Sequence, residues 1–337
     1  MAMYDPGQLY IDPILTGFST GYQDQTLYGE KVFPVTPVNT QSGKYLTFDR
    51  SNWMIFASRR EPGSVANEVR GGKWSSDNFS TQEHSLQASV ADEEVQQYTS
   101  LGGLANPWAG GGVGIDPHRD ATELITRALL LEQELKATTK LRDPATYTGG
   151  ASGTHVVTGA SGTYWDDEDS DIIGMVRAGI RQIQIDIRLT PNTMLVPRFG
   201  AGFLETNSDM IDRFKYFALT QPDAFRLLTG FDGQIVFVDS VYNAADNVDV
   251  AEDITSFWGK DVWIGYVDPT PGQKTRTFAK TFAQIYPDGS IRPTDRWREE
   301  PRKSDIVRTS YKYDIKVITP DAGYLIQNAF SSGAWDD

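Results

Sequence analysis

The stretch Asp116–Arg142, DPHRDATELITRALLLEQELKATTKLR, reads as one long uninterrupted helix. Asp116 offers an N-cap carboxylate, and Pro117 suits the first helical position, where its missing N–H has no partner to lose. No glycine or proline intervenes before Pro144, which supplies the stop. At ~1.5 Å per residue the run predicts a rod of roughly 40 Å, long for a globular helix. At 3.6 residues per turn Ala121, Leu124, Ile125, Ala128, Leu129, Leu131 and Leu135 share one broad face. Leu130 and Leu141 sit nearly opposite, so cover is expected on part of the back as well. Glu123–Arg127 and Glu132–Lys136 are i,i+4 pairs in the favourable order, each worth only about 0.2–0.5 kcal/mol. Such a rod is the backbone of a flat or elongated body.

The rest of the composition narrows the class. A chain of 337 residues, 39% hydrophobic and 12% aromatic, holds core enough for about two domains. There is no cysteine, which excludes disulfides, thiolate metal sites and cysteine nucleophiles. His84, His118 and His155 are the only imidazoles. The opening MAMYDPGQLYIDP lacks the basic and apolar regions of a secretory signal. No apolar run approaches ~18 residues, so no membrane-spanning helix is expected and synthesis is expected in the cytoplasm. The net charge of −14, with no basic stripe, speaks against tight nucleic-acid binding.

Outward from the helix, residues 1–30 read as an aromatic-dotted arm that needs something to hold it. VFPVTPV (Val32–Val38) is strand-like, but Pro34 and Pro37 confine it to an edge. GKYLTFDR (Gly43–Arg50) alternates cleanly. Between Ser51 and Val90, strand-like NWMIFASRR and FSTQEHSLQASV flank a polar stretch carrying Arg59, Arg60, Glu61, Glu68, Arg70, Lys73 and Trp74. That pattern predicts a protruding β-hairpin, which two strands alone cannot stabilise in water. ADEEVQQYTS suggests a short helix, and Leu101–Asp116 is a glycine-rich connector. The doubled GASGT at Gly150 and Gly159 suggests a small hairpin. From Asp166 the helix Ser170–Asp186 and the apolar strands Asn192–Pro197, Gln234–Ser240 and Asp261–Asp268 alternate with further helices, an α/β lobe with a covered sheet. SYKYDIKVIT (Ser310–Thr319) is a half-buried antiparallel strand, and PDAGYLIQNAF supplies a last one.

No stretch carries a catalytic signature. WDDEDSD sets Asp167, Asp169 and Asp171 at alternate positions, but Ile172 and Ala178 stand where a calcium loop needs Gly and Glu. Capping of the following helix explains the acids better. Gly110–Gly114 precede a helix without the strand before or the Lys after that a phosphate loop requires. The histidines are scattered, and no nucleophile elbow or zinc-protease motif is present. Trp53, Trp74, Trp108 and Trp165 flank loops, as stacking platforms or, more commonly, interface anchors.

Three runs in order carry a family resemblance: GEKVFPVTPVNTQSGKYLTFDRSNW, RDATELITRALLLEQEL and SYKYDIKVITPDAGYLIQNAF. Together they resemble the major capsid proteins of tailed double-stranded DNA phages. The resemblance implies an α+β, HK97-like capsid fold. Its parts would be an N-terminal arm (1–42), a first strand and E-loop hairpin (43–100), and a connector with the spine helix and Gly-rich hairpin of the peripheral domain (101–165). An axial domain (166–270) and a return to peripheral strands with a tail (271–337) would complete it. It implies a virion shell protein made in the host cytoplasm, assembling as hexamers and pentamers around DNA, with no catalytic residue, cofactor or metal and no membrane contact. Its partners would be further copies of itself, separate scaffolding and portal proteins, and optionally a decoration protein. Arg59, Arg60, Glu61, Glu68, Arg70, Lys73 and Trp74 are the expected inter-subunit contacts. An encapsulin-like nanocompartment shell shares the fold, and an α/β enzyme is the reading that rests on the lobe alone.

Overall fold

The computed structural model describes residues 11–22, 24, 26–48, 55, 58–60, 62–63, 65, 74–96, 116–160, 162–167, 170–208, 211–212, 221–244, 253–270 and 276–331. Asp12 caps α1 (Pro13–Gly21) by accepting from the Ile14 and Leu15 N–H groups, and α2 (Gly29–Val32) is a single turn. Strands β1 (Val35–Val38), β2 (Ser42–Phe48), β3 (Trp74–Ser80) and β4 (Gln82–Ala91) lead to the long helix α3 (Pro117–Arg142). Then come β5 (Val156–Thr158), α4 (Ile172–Ile187), β6 (Thr193–Pro197), α5 (Gly200–Thr206), α6 (Gln221–Thr229) and β7 (Gln234–Val238). A small hairpin of β8 (Val241–Asn243) and β9 (Ile254–Ser256) precedes β10 (Val262–Gly265), β11 (Ala279–Gln284), β12 (Thr294–Glu299), β13 (Ser304–Val317) and β14 (Gly323–Gln327).

The first sheet is built on β13. Ser304–Tyr313 pair with β4 along one edge, while Ser304–Thr309 pair with β12 and Tyr313–Val317 with β11. Since Tyr313 faces both Gln82 and Ala283, β11 and β12 lie end to end on the edge opposite β4. The outermost strand, β1, runs parallel to β11, so Pro37 sits at an edge as its missing N–H requires. Tyr311, Tyr313 and Ile315 are buried while Lys312, Asp314 and Lys316 are half-exposed, the alternation expected of this strand.

Helix α3 lies across β4 and β13, capped by Asp116 Oδ1, which accepts from His118 N at 3.0 Å. Its buried seam differs from the one its hydropathy predicts. Leu124 and Leu135 are exposed and Ala121, Ala128 and Leu131 only half-buried, whereas Thr122, Thr126, Leu129, Leu130, Gln133, Ala137, Thr138 and Leu141 are covered. The hydroxyls explain the shift. Thr122, Thr126 and Thr138 donate to the carbonyls four residues back at 2.8, 2.7 and 2.9 Å. They therefore enter the core with their polar atoms already satisfied.

The arm expected over residues 1–30, which needs something to hold it, is held from residue 11 onward by its own chain. Asp12 N donates to the Thr294 carbonyl at 3.0 Å, and Thr294 N donates to Thr16 Oγ1 at 3.0 Å. Leu15 joins Ile125, Leu129 and Val307 in one apolar cluster, and Val32 and Phe33 enter the main core. The aromatic and apolar residues that dot this stretch are its anchors, and α3 with β12 is what they bind. Glu134 pins the second half: its oxygens accept from Tyr28 N at 3.1 Å and Gly29 N at 2.6 Å.

The second sheet runs β5-β14-β10-β6-β7. It is mixed: β14–β5 and β6–β7 are parallel, and β10 is antiparallel to both its neighbours. Two strands read with other segments belong here. GYLIQ of the C-terminal return pairs with β10 and β5, and the Gly-rich segment contributes β5. Apolar runs this short carry no mark of which partner they choose. Helix α4 covers the sheet with Ile172, Ile173, Val176, Ile180 and Ile183, as its periodicity predicts. At Gly179 an added Cβ would stand 2.7 Å from the Tyr324 ring, so helix and strand approach too closely for any side chain.

The hairpin is β2 with β3, Phe48 opposite Trp74 and Ser42 opposite Ser80. This corrects the expected strand over Asn52–Arg60, whose described residues Ile55, Ser58, Arg59 and Arg60 lie in no strand. Its base is an aromatic clamp: Phe79 stacks on Phe282 at 4.4 Å, Tyr45 lies 5.5 Å from the same ring, and Ile318 closes the cluster. At Thr81, whose N–H and hydroxyl both donate to the Gln41 carbonyl, the chain leaves the hairpin for the first sheet.

Two predictions follow from this packing. Burial pushes the Glu134 carboxyl up to about 7 from 4.5, although two backbone N–H groups pull it down. A folded-state value above the unfolded one means stability is full at low pH and falls as pH rises through about 7, by a total on the order of 3 kcal/mol. Urea midpoints of the wild type should decline between pH 5 and pH 8, and Glu134→Gln should flatten that decline; parallel curves would refute the assignment. Phe79→Ala should cost about 3–5 kcal/mol at the clamp. In hydrogen exchange, β2 and β3 amides should lose protection while those of β6 and β10 keep theirs.

Candidate assembly surfaces

The hairpin stands apart from both large sheets, since β2 and β3 pair only with each other among the described residues. At ~3.3 Å per residue its seven-residue strands are roughly 23 Å long, and the clamp grips them at Tyr45 and Phe79. Along β3 the side chains of Ser75, Ser76, Asp77 and Asn78 are exposed. Asp77 accepts from Tyr45 Oη at 2.8 Å, which ties the outer strand to the clamp. Of the expected contact residues, Arg59 and Arg60 are described and exposed, as are Ile55 and Val65 beside them. Glu61, Glu68, Arg70 and Lys73 lie outside the described residues. Trp74 begins β3, and its side chain lies outside the description.

A second surface, which the sequence reading did not single out, runs between β4 and α3. β4 pairs on one edge only among the described residues, and Gln82, Glu83, Ser85, Leu86, Gln87 and Ser89 are exposed along it. Leu86, Leu124 and Leu135 expose apolar side chains on the two elements. At its far end a cavity of about 550 Å³ is lined by His84, Leu135, Lys136, Lys140, Tyr313 and Lys316, among others. Lys136 bonds Glu132 at 2.6 Å, and Lys140 donates to the Ile315 carbonyl. Burial draws the Lys140 ammonium below its ordinary value.

The start of α3 is held by charge. Asp305 on β13 accepts from Arg296 at 2.6 Å and lies 3.1 Å from His118 Nε2. Arg298 makes a two-pronged contact with Asp92, its Nη2 2.7 Å from Oδ2. Burial opposes ionisation of Asp305, but the bonds from Arg296 and His118 outweigh it and hold its carboxyl below the ordinary range. These bridges tie α3, β12 and β13 to the short helical turn at residues 92–96, the helix read from ADEEVQQYTS.

The remaining sequence candidates resolve as structural parts. Asp171 caps α4 by accepting from Gly174 N at 2.8 Å, and Asp167 accepts from Gly162 N and Tyr164 N at 2.8 and 3.2 Å. Their acceptors serve the backbone; Asp169 lies outside the described residues. Trp165 is wholly buried against Phe330, so it stacks no sugar. Trp53, Trp108 and Gly110–Gly114 lie outside the description. His84 packs on Tyr313, away from His118 and His155, and the three do not form one site.

Comparison with known proteins gives these surfaces a context. No family model matches the chain. It is 23% identical over 320 residues to the major capsid protein of Burkholderia phage BcepMu, covering 94% of this chain and 95% of that one. It is 22% identical over 332 residues to the major capsid protein of Pseudomonas phage JBD67, covering 96% and 98%. Among solved structures, a phage-related protein of Bordetella bronchiseptica RB50 matches with a TM-score of 0.71 at 26% identity, over 96% of this chain and 98% of that one. The capsid structure of cyanophage P-SCSP1u matches with a TM-score of 0.56 at 10% identity, over 98% and 93%. At that identity the likeness shows the fold alone, and the fold is the HK97-like one. The chain thus has the HK97-like fold of phage capsid structures and is similar over nearly its whole length to phage major capsid proteins.

Proposed function

We propose that this protein is the repeating subunit of a tailed-phage shell, assembling as hexamers and pentamers that enclose double-stranded DNA. The observation that carries the reading is the hairpin: a two-stranded element clamped at its base, on a chain whose full-length relatives are phage major capsid proteins. Those relatives favour a phage shell over an encapsulin-like nanocompartment, and a structural role over an enzyme. In this assignment the hairpin is the E-loop and α3 the spine helix on the peripheral-domain sheet. The lobe at 166–270, completed by β5 and β14, is the axial domain. Of the arm expected over residues 1–42, the stretch from residue 11 is held against its own chain.

Two strands in water are marginal at best, so the projecting finger gains its stability from a neighbour's surface. Arg59 and Arg60, with Glu61, Glu68, Arg70, Lys73 and Trp74, meet that surface, where complementary charge sets register and partner choice more than raw affinity. A subunit of net charge −14 repels the phosphate backbone on average, which suits a lining that holds packed DNA without adsorbing it. Scaffolding and portal proteins, and optionally a decoration protein, are the further partners of such a shell.

Negative-stain imaging of the purified protein tests the assignment: closed shells or capsomer rings are the expected result, and a dispersed monomer at high concentration would overturn it. Reversing Arg59 and Arg60 together to Glu should cut shell yield at least ~10-fold, as loss of more than about 1.4 kcal/mol per contact would do. The circular dichroism of the variant should match the wild type; unchanged yield would count against the finger as the contact.

A further inference from the structure

One side-chain cluster of the second sheet is used neither by the packing described above nor by assembly. His155 immediately precedes β5, Asp186 lies in the last turn of α4, and Asp321 sits in the 3₁₀ turn at Pro320–Ala322 that leads into β14. His155 and Asp186 are 31 residues apart and Asp321 lies far beyond both, so no spacing announced the group. In the fold His155 Nε2 lies 2.7 Å from Asp186 Oδ2 and 3.7 Å from Asp321 Oδ1, and the three ligand atoms fall within 4.8 Å of one another. His155 is 1% exposed and Asp186 5%.

The ring orientation is set by its other nitrogen. His155 Nδ1 lies 2.9 Å from the Gly323 carbonyl, and a carbonyl only accepts, so Nδ1 carries a proton. That leaves Nε2 aimed at two carboxylates. The backbone holds the residue as well, since Leu325 N donates to the His155 carbonyl at 2.9 Å. Gln182 Nε2 donates to Asp186 Oδ2 at 2.6 Å and orients the second group. An imidazole held in one tautomer by a backbone carbonyl, beside a carboxylate held by an amide, is the outer-shell arrangement that supports metal ligation.

We propose that His155, Asp186 and Asp321 bind one divalent transition-metal ion of the zinc class, through Nε2 and one oxygen from each carboxylate. One nitrogen and two oxygens form a borderline donor set, better suited to zinc or manganese than to calcium, which takes six to eight oxygens. Ligands ~2.1 Å from a shared ion stand roughly 3–3.5 Å apart, so Asp186 swings outward by about half an ångström on loading. Asp321 forms the open side, where solvent completes the coordination. The ion ties the end of α4 to the strands β5 and β14, a clamp on one flank of the sheet.

The test uses the full-length chain, first stripped with a chelator. Calorimetric titration with zinc chloride alone should show one site per chain, and saturation should raise the thermal midpoint by about 5 °C. Cobalt should give a visible ligand-field band. Asp321→Asn, at the most exposed ligand, should keep the fold and lose at least ~10-fold in zinc affinity, and Asp186→Asn should do the same. Absence of uptake at micromolar zinc would overturn the proposal and leave a proton as the bridge between imidazole and carboxylate. Uptake equal in wild type and both variants would overturn it too, as adventitious surface binding. Neither result bears on shell formation, which is scored separately by imaging.

Discussion

The structure depends on one strand being hydrogen-bonded on both sides. Ser304–Val317 carries β4 on one edge and β12 and β11 in succession on the other, and each neighbour brings a distant part of the chain with it. β4 brings the hairpin, which leaves the sheet at Thr81. β12 brings the N-terminal segment, through the pair of bonds between Asp12, Thr16 and Thr294. β11 brings β1 and, through Phe282, the ring on which the hairpin's base is stacked. A strand in this position satisfies backbone groups that no side chain could.

The long helix fits that sheet by an economy of polar atoms rather than by a leucine face. Threonines that bond their own backbone can be buried at small cost, and a glutamate can be buried where two orphan N–H groups await it. Glu134 accepts from two N–H groups at the start of α2 and so joins the N-terminal segment to the helix. Leucines released from the seam, Leu124 and Leu135, are left on the surface beside the exposed strand β4. Part of the predicted core face, at Leu124 and Leu135, is thus exposed among the described residues.

The same division between a held base and a free end runs through the hairpin. Its clamp is apolar and local to the chain, while Arg59, Arg60, Ile55 and Val65 present charge and apolar surface with no cover from the described body. Full-length similarity to phage major capsid proteins supports the proposal that a neighbouring subunit covers this surface.

Read alone, the chain of residues determined the elements whose signals are local. Asp116, Pro117 and Pro144 bound the long helix to within two residues, the isoleucine period of α4 marked its buried face, and the two prolines of Val32–Val38 placed that strand at an edge. Tertiary structure decided what depends on partners distant in sequence. The seam of α3, the pairing of β2 with β3, the membership of β5 and β14 in the second sheet, the docking of residues 11–33 and the meeting of His155 with Asp186 and Asp321 all belong there. The reason is physical: caps, turns and periods are written within a few residues, whereas a strand's partner or a buried carboxylate's donor is chosen by closure of the whole core, to which every segment contributes at once.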